Sequence, residues 1–223
     1  MLGIFFVTYK LSKKYTGDMK KEKLFLAIVP LVLISACGKT DPVEEILNKY
    51  KGDYELVSVK LTDYDSPVDL NGDGSSHGGE LVLEELISLL NYREQLAMFT
   101  PGIVYSRKGS FGMSIPSQMI EAQGEAPFSL ESPINVGNAN SYLLLPYSAD
   151  LTIDGNNKES WTSNQHEYAD NDRMISRSYA GEPEIVSADK DIIVFRLGKA
   201  LFYDFSTESL INSGAVYTFK HVR

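Results

Sequence analysis

The chain has 223 residues, of which 43% are hydrophobic and 23% are charged, and its formal net charge is −9. This length and apolar content are sufficient for one domain with a sizeable hydrophobic core. The excess of acidic over basic residues repels the phosphate backbone, so a nucleic-acid-binding function is disfavoured.

Residues 19–37 carry the first informative pattern. Lysines within residues 20–23 precede an apolar stretch over residues 24–35, which contains Pro30 and no charged residue. A basic head, a short apolar body and small residues before a cleavage point are typical of a secretory signal. The apolar stretch is shorter than the roughly 20 residues of a membrane-spanning helix, and Pro30 disfavours a buried core helix.

The small residues that end this pattern are followed directly by Cys37, an arrangement that resembles the lipobox of bacterial lipoprotein signals. The resemblance implies cleavage before Cys37 and acylation of this cysteine, so residues 1–36 are predicted to be a lipoprotein signal peptide. The implied partner is a membrane, reached through the acyl chains. The implied location is the bacterial cell envelope, with the outer membrane or the cell surface favoured. Because residues 1–18 place a second apolar and charged stretch before the basic head, we interpret them as a mis-assigned start and Met19 as the true one.

The remainder of the chain divides into a tether and one domain. Residues 37–48 are polar and acidic, which predicts a solvated acidic tether. Residues 49–223 are predicted to form a single β-rich domain that opens with strand composition over residues 52–61. A helical apolar stripe follows over residues 80–97, and Glu85 is expected to lie on the solvent-facing side of this helix.

After this helix the apolar period changes to two, and turn residues interrupt it repeatedly. Gly198-Lys199 is interpreted as a tight hairpin connection. Many short strands predict a mainly β fold, either an antiparallel barrel or a β-sandwich, with one helix after the first strand. The candidate strands are residues 103–107, 111–120, 126–132, 141–147, 149–153, 173–179, 183–188, 191–197, 200–205 and 214–222.

The opening Gly52-x-Tyr54 strand, the early helix and the antiparallel meander resemble the lipocalin-like domains of Gram-negative bacterial lipoproteins. Lipocalins proper open with Gly-x-Trp, and their helix lies near the end of the chain instead of after the first strand. The resemblance covers residues 50–223 and implies a lipocalin-like β-barrel. A hollow barrel would carry a small apolar ligand.

Residues 69–80 match the twelve-residue calcium loop, in which oxygen ligands recur at fixed positions and a glycine allows a sharp turn at position 6. The alternative is a bare turn, because Asn-Gly and Asp-Gly are common turn dipeptides. Pro67 and the preceding strand exclude an incoming helix, so we expect a lone structural calcium site with an affinity on the order of 0.1–1 mM. The metal ligands that the spacing assigns are Asp69, Asn71, Asp73, the Ser75 carbonyl, His77 through a water or not at all, and Glu80.

The first part of this loop, Asp-Leu-Asn-Gly-Asp-Gly over residues 69–74, is similar to a loop that a related set of lipoproteins carries soon after the first strand. That set of proteins supplies no activity to transfer. The sequence also contains no zinc motif, nucleophile elbow or phosphate-binding glycine loop.

The sequence therefore favours a non-enzymatic, lipid-anchored extracytoplasmic protein that binds or interacts with a small-molecule, glycan or protein partner. Trp161 and Tyr168 form the aromatic pair expected to be most exposed, so they are candidate ligand contacts. Two alternatives stay open. One is a lipocalin-like carrier of a small apolar ligand, and the other is a hydrolase with an unrecognised carboxylate pair.

Overall fold

In a computed structural model of the protein, the described residues are 40–78, 85–86, 97–102, 104–136, 139, 141–164, 173–181 and 183–222. The predicted signal peptide and Cys37 lie outside the described residues. So does most of the helix predicted over residues 80–97. Glu85 and Leu86 are described and are helical, whereas Ala97 already belongs to a strand.

The first element is a helix, α1 (Pro42–Tyr50), where the sequence predicted a tether over residues 37–48. The Asp41 side chain caps this helix by accepting a hydrogen bond from the backbone N–H of Val43 at 2.8 Å. Val43, Leu47 and Tyr50 recur at helical spacing, and all are buried. The prediction of a tether was wrong over residues 42–48, because it rested on the acidic residues and overlooked the apolar residues that recur between them at helical spacing.

Within the described residues, eight long strands and two short ones follow α1. The short strands, β4 and β5, pair with each other in a small separate sheet. The strands are β1 (Gly52–Leu61), β2 (Ala97–Pro101), β3 (Lys108–Gln118), β4 (Glu121–Ala122), β5 (Ile134–Asn135), β6 (Tyr142–Ile153), β7 (Glu159–Asn164), β8 (Pro183–Ala188), β9 (Ile192–Asp204) and β10 (Ser209–His221).

The eight long strands form one antiparallel sheet in the order β7-β6-β3-β2-β1-β10-β9-β8. The chain thus visits neighbouring strands in sequence, and the last strand returns to pair with the first. The sheet curls into a nearly closed barrel with its seam between β7 and β8. This confirms the mainly β, lipocalin-like prediction, and the architecture is a barrel and not a sandwich because every long strand belongs to the same sheet.

The end of α1 lies at the seam of the barrel. The Tyr50 hydroxyl donates to the Glu159 carboxylate on β7 and is 3.4 Å from the carbonyl oxygen of Ala188 on β8. Lys49 adds an ion pair to Glu159 at 3.3 Å. These contacts connect the two strands that do not pair with each other at the seam.

Several predicted boundaries differ from the observed strands. Gly198-Lys199 is not a hairpin connection, because both residues lie within the continuous strand β9. The pairing of β9 with β10 is irregular at this point, with a register shift between Ser213 and Ala215 of β10. Residues 103–107 contain a 3-10 helix, Val104–Ser106. Residues 173–179 contain a short helix, α2 (Ile175–Ser178). No strand is assigned over residues 126–132, all of which are described.

Aromatic rings occupy the interior of the barrel. They pack in three groups, with ring centroids separated by 5.3 to 6.3 Å. Offset and edge-on ring contacts at these distances are stabilising. The groups are Tyr54, Phe111 and Phe219; Tyr147, Phe195 and Tyr217; and Tyr50, Phe99 and Trp161.

Candidate functional site

The loop predicted to bind calcium leaves the barrel after β1 and is closed at its base by a two-residue bridge. The backbone N–H of Val68 donates to the His77 carbonyl at 2.7 Å, and the N–H of His77 donates to the Val68 carbonyl at 2.8 Å. This pairing fixes residues 69–76 as a compact excursion from the barrel.

The Asp69 side chain stabilises this loop through hydrogen bonds to its backbone. Its side chain is buried, and its two carboxylate oxygens accept hydrogen bonds from the backbone N–H groups of Gly72 at 2.7 Å and Gly74 at 3.0 Å. Both glycines have positive φ angles, 72° and 83°, a conformation that glycine adopts without a steric cost. The glycine at loop position 6, which the sequence assigned to a sharp turn, therefore has that role.

The next two predicted ligands lie on the exposed part of the loop. Asn71 Oδ1 accepts from the N–H of Asp73 at 2.8 Å, and Asp73 Oδ1 accepts from the N–H of Ser75 at 2.7 Å. The Asn71 amide also donates to Asp73 Oδ2 at 3.1 Å, so these two side chains meet. The hydrogen bond from Ser75 holds the pKa of the Asp73 carboxyl below its ordinary value.

The side chain of His77 contacts a buried acidic residue, Glu85, which was not identified from the sequence as part of the site. Its Nδ1 pairs with the carboxylate of Glu85, which is only 1% exposed. The other oxygen of Glu85 accepts from the N–H of Leu70 at 3.2 Å. The expectation that Glu85 faces solvent was wrong, because this carboxylate connects the loop to the chain segment before β2.

A buried polar side chain attaches the loop to the barrel. Gln118, at the end of β3, is fully buried and donates to the carbonyl of Leu70 at 2.7 Å and to that of Tyr203 at 3.0 Å. Its side-chain oxygen accepts from the N–H of Tyr203 at 2.6 Å. The Tyr142 hydroxyl also donates to Leu70 at 3.3 Å. Burial raises the pKa of Tyr142, and the charges of Glu85 and Asp69 raise it further.

Asp204, the last residue of β9, forms a second attachment between the barrel and the loop. It accepts from the backbone N–H of Asp69 at 3.0 Å and from the hydroxyls of Ser206 and Thr207, both at 2.8 Å. Burial raises the pKa of the Asp204 carboxyl, but these hydrogen bonds outweigh burial and hold the pKa below its ordinary value. The carboxylate is therefore kept ionised in a structural role.

Of the two candidate aromatic contacts, Trp161 has a different environment from the expected one. Trp161 is half-buried, and its ring packs edge-on against Tyr50 with centroids 5.3 Å apart. It also contacts Phe99 at 6.0 Å, so it belongs to the barrel core and is not an exposed platform. Tyr168 lies outside the described residues.

The described part of the loop brings together some of the predicted metal ligands. Asn71 and Asp73 contact each other, and Asp69 bonds to backbone N–H groups of the same loop, whereas His77 is directed to Glu85. Glu80 lies outside the described residues. Across the described parts of the chain, no three His, Cys, Asp or Glu side chains are grouped so that they could hold a metal ion. A calcium ion here would depend on the Asn71 and backbone oxygens as well as on carboxylates.

The chain matches no protein-family model, no curated protein sequence and no solved structure. Within the described residues, no helix is both long enough and apolar enough to cross a bilayer.

Proposed function

We propose that the protein is a lipid-anchored bacterial envelope protein whose barrel is a non-enzymatic binding or interaction module that uses its outer surface. The observation that carries this proposal is the packed interior. Phe111 lies between Tyr54 and Phe219, with centroid distances of 5.3 and 5.9 Å. An eight-stranded barrel is just wide enough for side chains to fill it or for one small ligand to replace them.

The packed rings weigh against the carrier alternative. Phe195 contacts Tyr147 and Tyr217 at 5.5 and 6.3 Å, and all three side chains are at most 3% exposed. A small apolar ligand would have to displace these rings, because protein interiors are close-packed. Binding at the outer surface requires no such displacement.

The hydrolase alternative finds no support in the buried acids below the loop. A general acid needs a carboxyl whose pKa is raised toward the working pH. The pKa of Asp204 is lowered instead, because it accepts several hydrogen bonds. Both carboxylate oxygens of Asp69 accept hydrogen bonds from backbone N–H groups, and one oxygen of Glu85 accepts another. These carboxylates therefore stabilise the conformation of the loop.

The anchoring part of the proposal rests on Cys37 and the resemblance of its flanking residues to a lipobox. The helix α1 begins at Pro42, only five positions after Cys37. Each buried CH₂ of an acyl chain contributes about 0.8 kcal/mol, so two or three chains would retain the protein at a bilayer. The acidic character of the chain suits a domain held beside an anionic membrane without adhering to it.

We also propose that calcium stabilises the loop between β1 and β2. Asp69, Asn71 and Asp73 would supply side-chain oxygens, and each retains lone pairs beyond those used in the hydrogen bonds above. The ion would neutralise clustered carboxylates and stiffen the turn, a structural role that requires only weak affinity.

Metabolic labelling with a palmitate analogue tests the anchoring proposal. The wild-type product should incorporate label and sediment with membranes, and the Cys37→Ser variant should do neither. A wild-type product that never incorporates the label would refute the proposal. So would a Cys37→Ser variant that matures and partitions like the wild type.

A further inference from the structure

The outer face of strands β2, β3, β6 and β7 carries a row of small polar side chains. Thr100, Ser110, Asp150 and Thr162 are consecutive partners across these strands. Alternate residues of a strand point to the same face, so the neighbouring positions extend this row into a mostly polar surface. The residues at those positions are Met98, Gly102, Lys108, Gly112, Ser148, Thr152, Ser160 and Asn164, of which Met98 is apolar and 52% exposed.

This surface is concave where the side chains of the row are short. The groove is bordered by both hydroxyl and charged groups. Asp150 is held in place because Asn164 donates to its Oδ2 at 3.1 Å. The residues that line the groove are Thr100, Gly102, Lys108, Gly109, Ser110, Asp150, Thr152 and Thr162. They include one acidic and one basic side chain, so the lining is neutral although the chain as a whole is acidic.

The most exposed aromatic side chain among the described residues belongs to a loop whose two ends line this groove. Tyr105 is 82% exposed and lies in the loop that joins two lining residues, Gly102 and Lys108. The loop is closed by a hydrogen bond from the N–H of Gly102 to the Lys108 carbonyl at 2.8 Å. Tyr105 is thus within three residues, along the chain, of two residues that form part of the groove wall.

The loop that carries Tyr105 is built to keep its shape. Arg107 donates from Nε to the Ile153 carbonyl at 2.9 Å and from a terminal nitrogen to Asn157 Oδ1 at 2.8 Å and to the Asp154 carbonyl. The N–H of Ile153 donates back to the Arg107 carbonyl at 2.9 Å. An exposed aromatic ring on a pre-organised loop loses little entropy when a partner covers it.

We propose that this groove, with Tyr105 at its edge, binds a neutral glycan. Sugar hydroxyls both donate and accept hydrogen bonds, which matches a lining of threonine and serine hydroxyls with Asp150 and Lys108. The apolar face of a sugar ring packs on an aromatic side chain, and Tyr105 offers one. The net negative charge of the chain disfavours anionic polymers, and the lining, with one acidic and one basic side chain, offers no local excess of negative charge to a cationic one. This inference rests on the proposed function as a surface-binding module and names its partner class.

Affinity electrophoresis tests the glycan site with the full chain in a non-ionic detergent. The gels contain dextran, mannan or xylan as neutral probes and polygalacturonate as an anionic one. At least one neutral polysaccharide should retard the wild-type protein, and polygalacturonate should not. The Tyr105→Ala and Asp150→Asn variants should each bind about tenfold more weakly, the loss expected for one stacking or charge-assisted contact.

Two matched variants control for changes outside the groove. Asp65→Asn removes a carboxylate from the exposed loop after β1, and Val186→Ala trims a side chain that is 51% exposed on β8. Each polysaccharide should retard both variants as much as it retards the wild type, when retardation is taken relative to the mobility of the same variant in a gel without polysaccharide. Unchanged migration of the wild type in all neutral gels, or equal retardation of Tyr105→Ala, would overturn the inference. Palmitate incorporation at Cys37 together with no retardation would leave the anchoring proposal standing and remove only the glycan site.

Discussion

The Gln118→Leu substitution tests how much the buried hydrogen bonds of Gln118 to the loop after β1 and to β9 stabilise the fold. Gln118 makes three hydrogen bonds from a fully buried side chain, to the carbonyls of Leu70 and Tyr203 and from the N–H of Tyr203. Leucine has a similar volume but can make none of them. Each lost hydrogen bond to a buried partner costs about 1 kcal/mol, so we expect a loss of about 3 kcal/mol in the free energy of unfolding.

Urea denaturation followed by the fluorescence of Trp161, the only tryptophan in the chain, measures this loss. For a chain of this size, the same loss corresponds to a fall of about 6–12 °C in the melting temperature. The matched control is Gln123→Leu, which removes one exposed hydrogen bond of 3.0 Å to the Ile134 carbonyl. It should cost no more than about 0.5 kcal/mol. A Gln118→Leu loss that is no larger than that of the control would show that the hydrogen bonds of Gln118 to the loop and to β9 do not stabilise the fold.

Further predictions concern acid stability, calcium and core packing. Because the pKa of Asp204 is lowered in the folded state, its ionised carboxylate stabilises the fold at pH values above the ordinary carboxyl pKa. This contribution to the free energy of unfolding should be lost as the pH drops below about 4. In urea denaturation at a series of pH values, Asp204→Asn should lose less stability over this acidic range than the wild type. Millimolar calcium should raise the melting temperature relative to EDTA in the wild type but not in Asp73→Asn, and equal melting curves for the wild type in both buffers would contradict a structural ion. Gly109→Ala would place a Cβ atom 2.3 Å from the ring of Phe99 and should cost about 1–3 kcal/mol, whereas Gly112→Ala meets nothing within 4 Å and should be close to neutral in calorimetry.

The strands that the sequence predicted best are those with one buried and one outer face. In β10, Ala215, Tyr217 and Phe219 are buried, while Val216 and Thr218 between them are half-buried. Such alternation follows directly from strand geometry and can be read without tertiary information. The barrel could be predicted to this extent because its interior is lined by one side of each strand.

The misplaced boundaries arose where tertiary pairing outweighed local turn signals. Gly198-Lys199 has the composition of a hairpin, yet β9 continues because β10 supplies partners on both sides of it, from Leu197 opposite Ala215 to Ala200 opposite Ser213. The helix α1 was missed for a related reason. Its face of three buried residues gains its stability from the barrel against which it packs, and this gain is absent from local composition.

The polar network below the loop could not be predicted from the sequence at all. Glu85 and Gln118 are polar residues in ordinary surroundings along the chain, and only the fold brings them to Leu70 from two different segments. The compact turn of the loop could be predicted from the sequence because its hydrogen bonds are local. Asp69, Asn71 and Asp73 each bond to a backbone group two to five residues later, and that spacing is written in the sequence.

Mass spectrometry of the N-terminal peptide of the membrane-extracted protein tests the central claim, lipid anchorage at Cys37, most directly. We predict that the mature chain begins at Cys37 and that this residue carries the added mass of acyl chains. A mature protein that begins elsewhere, or an unmodified Cys37 in the membrane fraction, would contradict it.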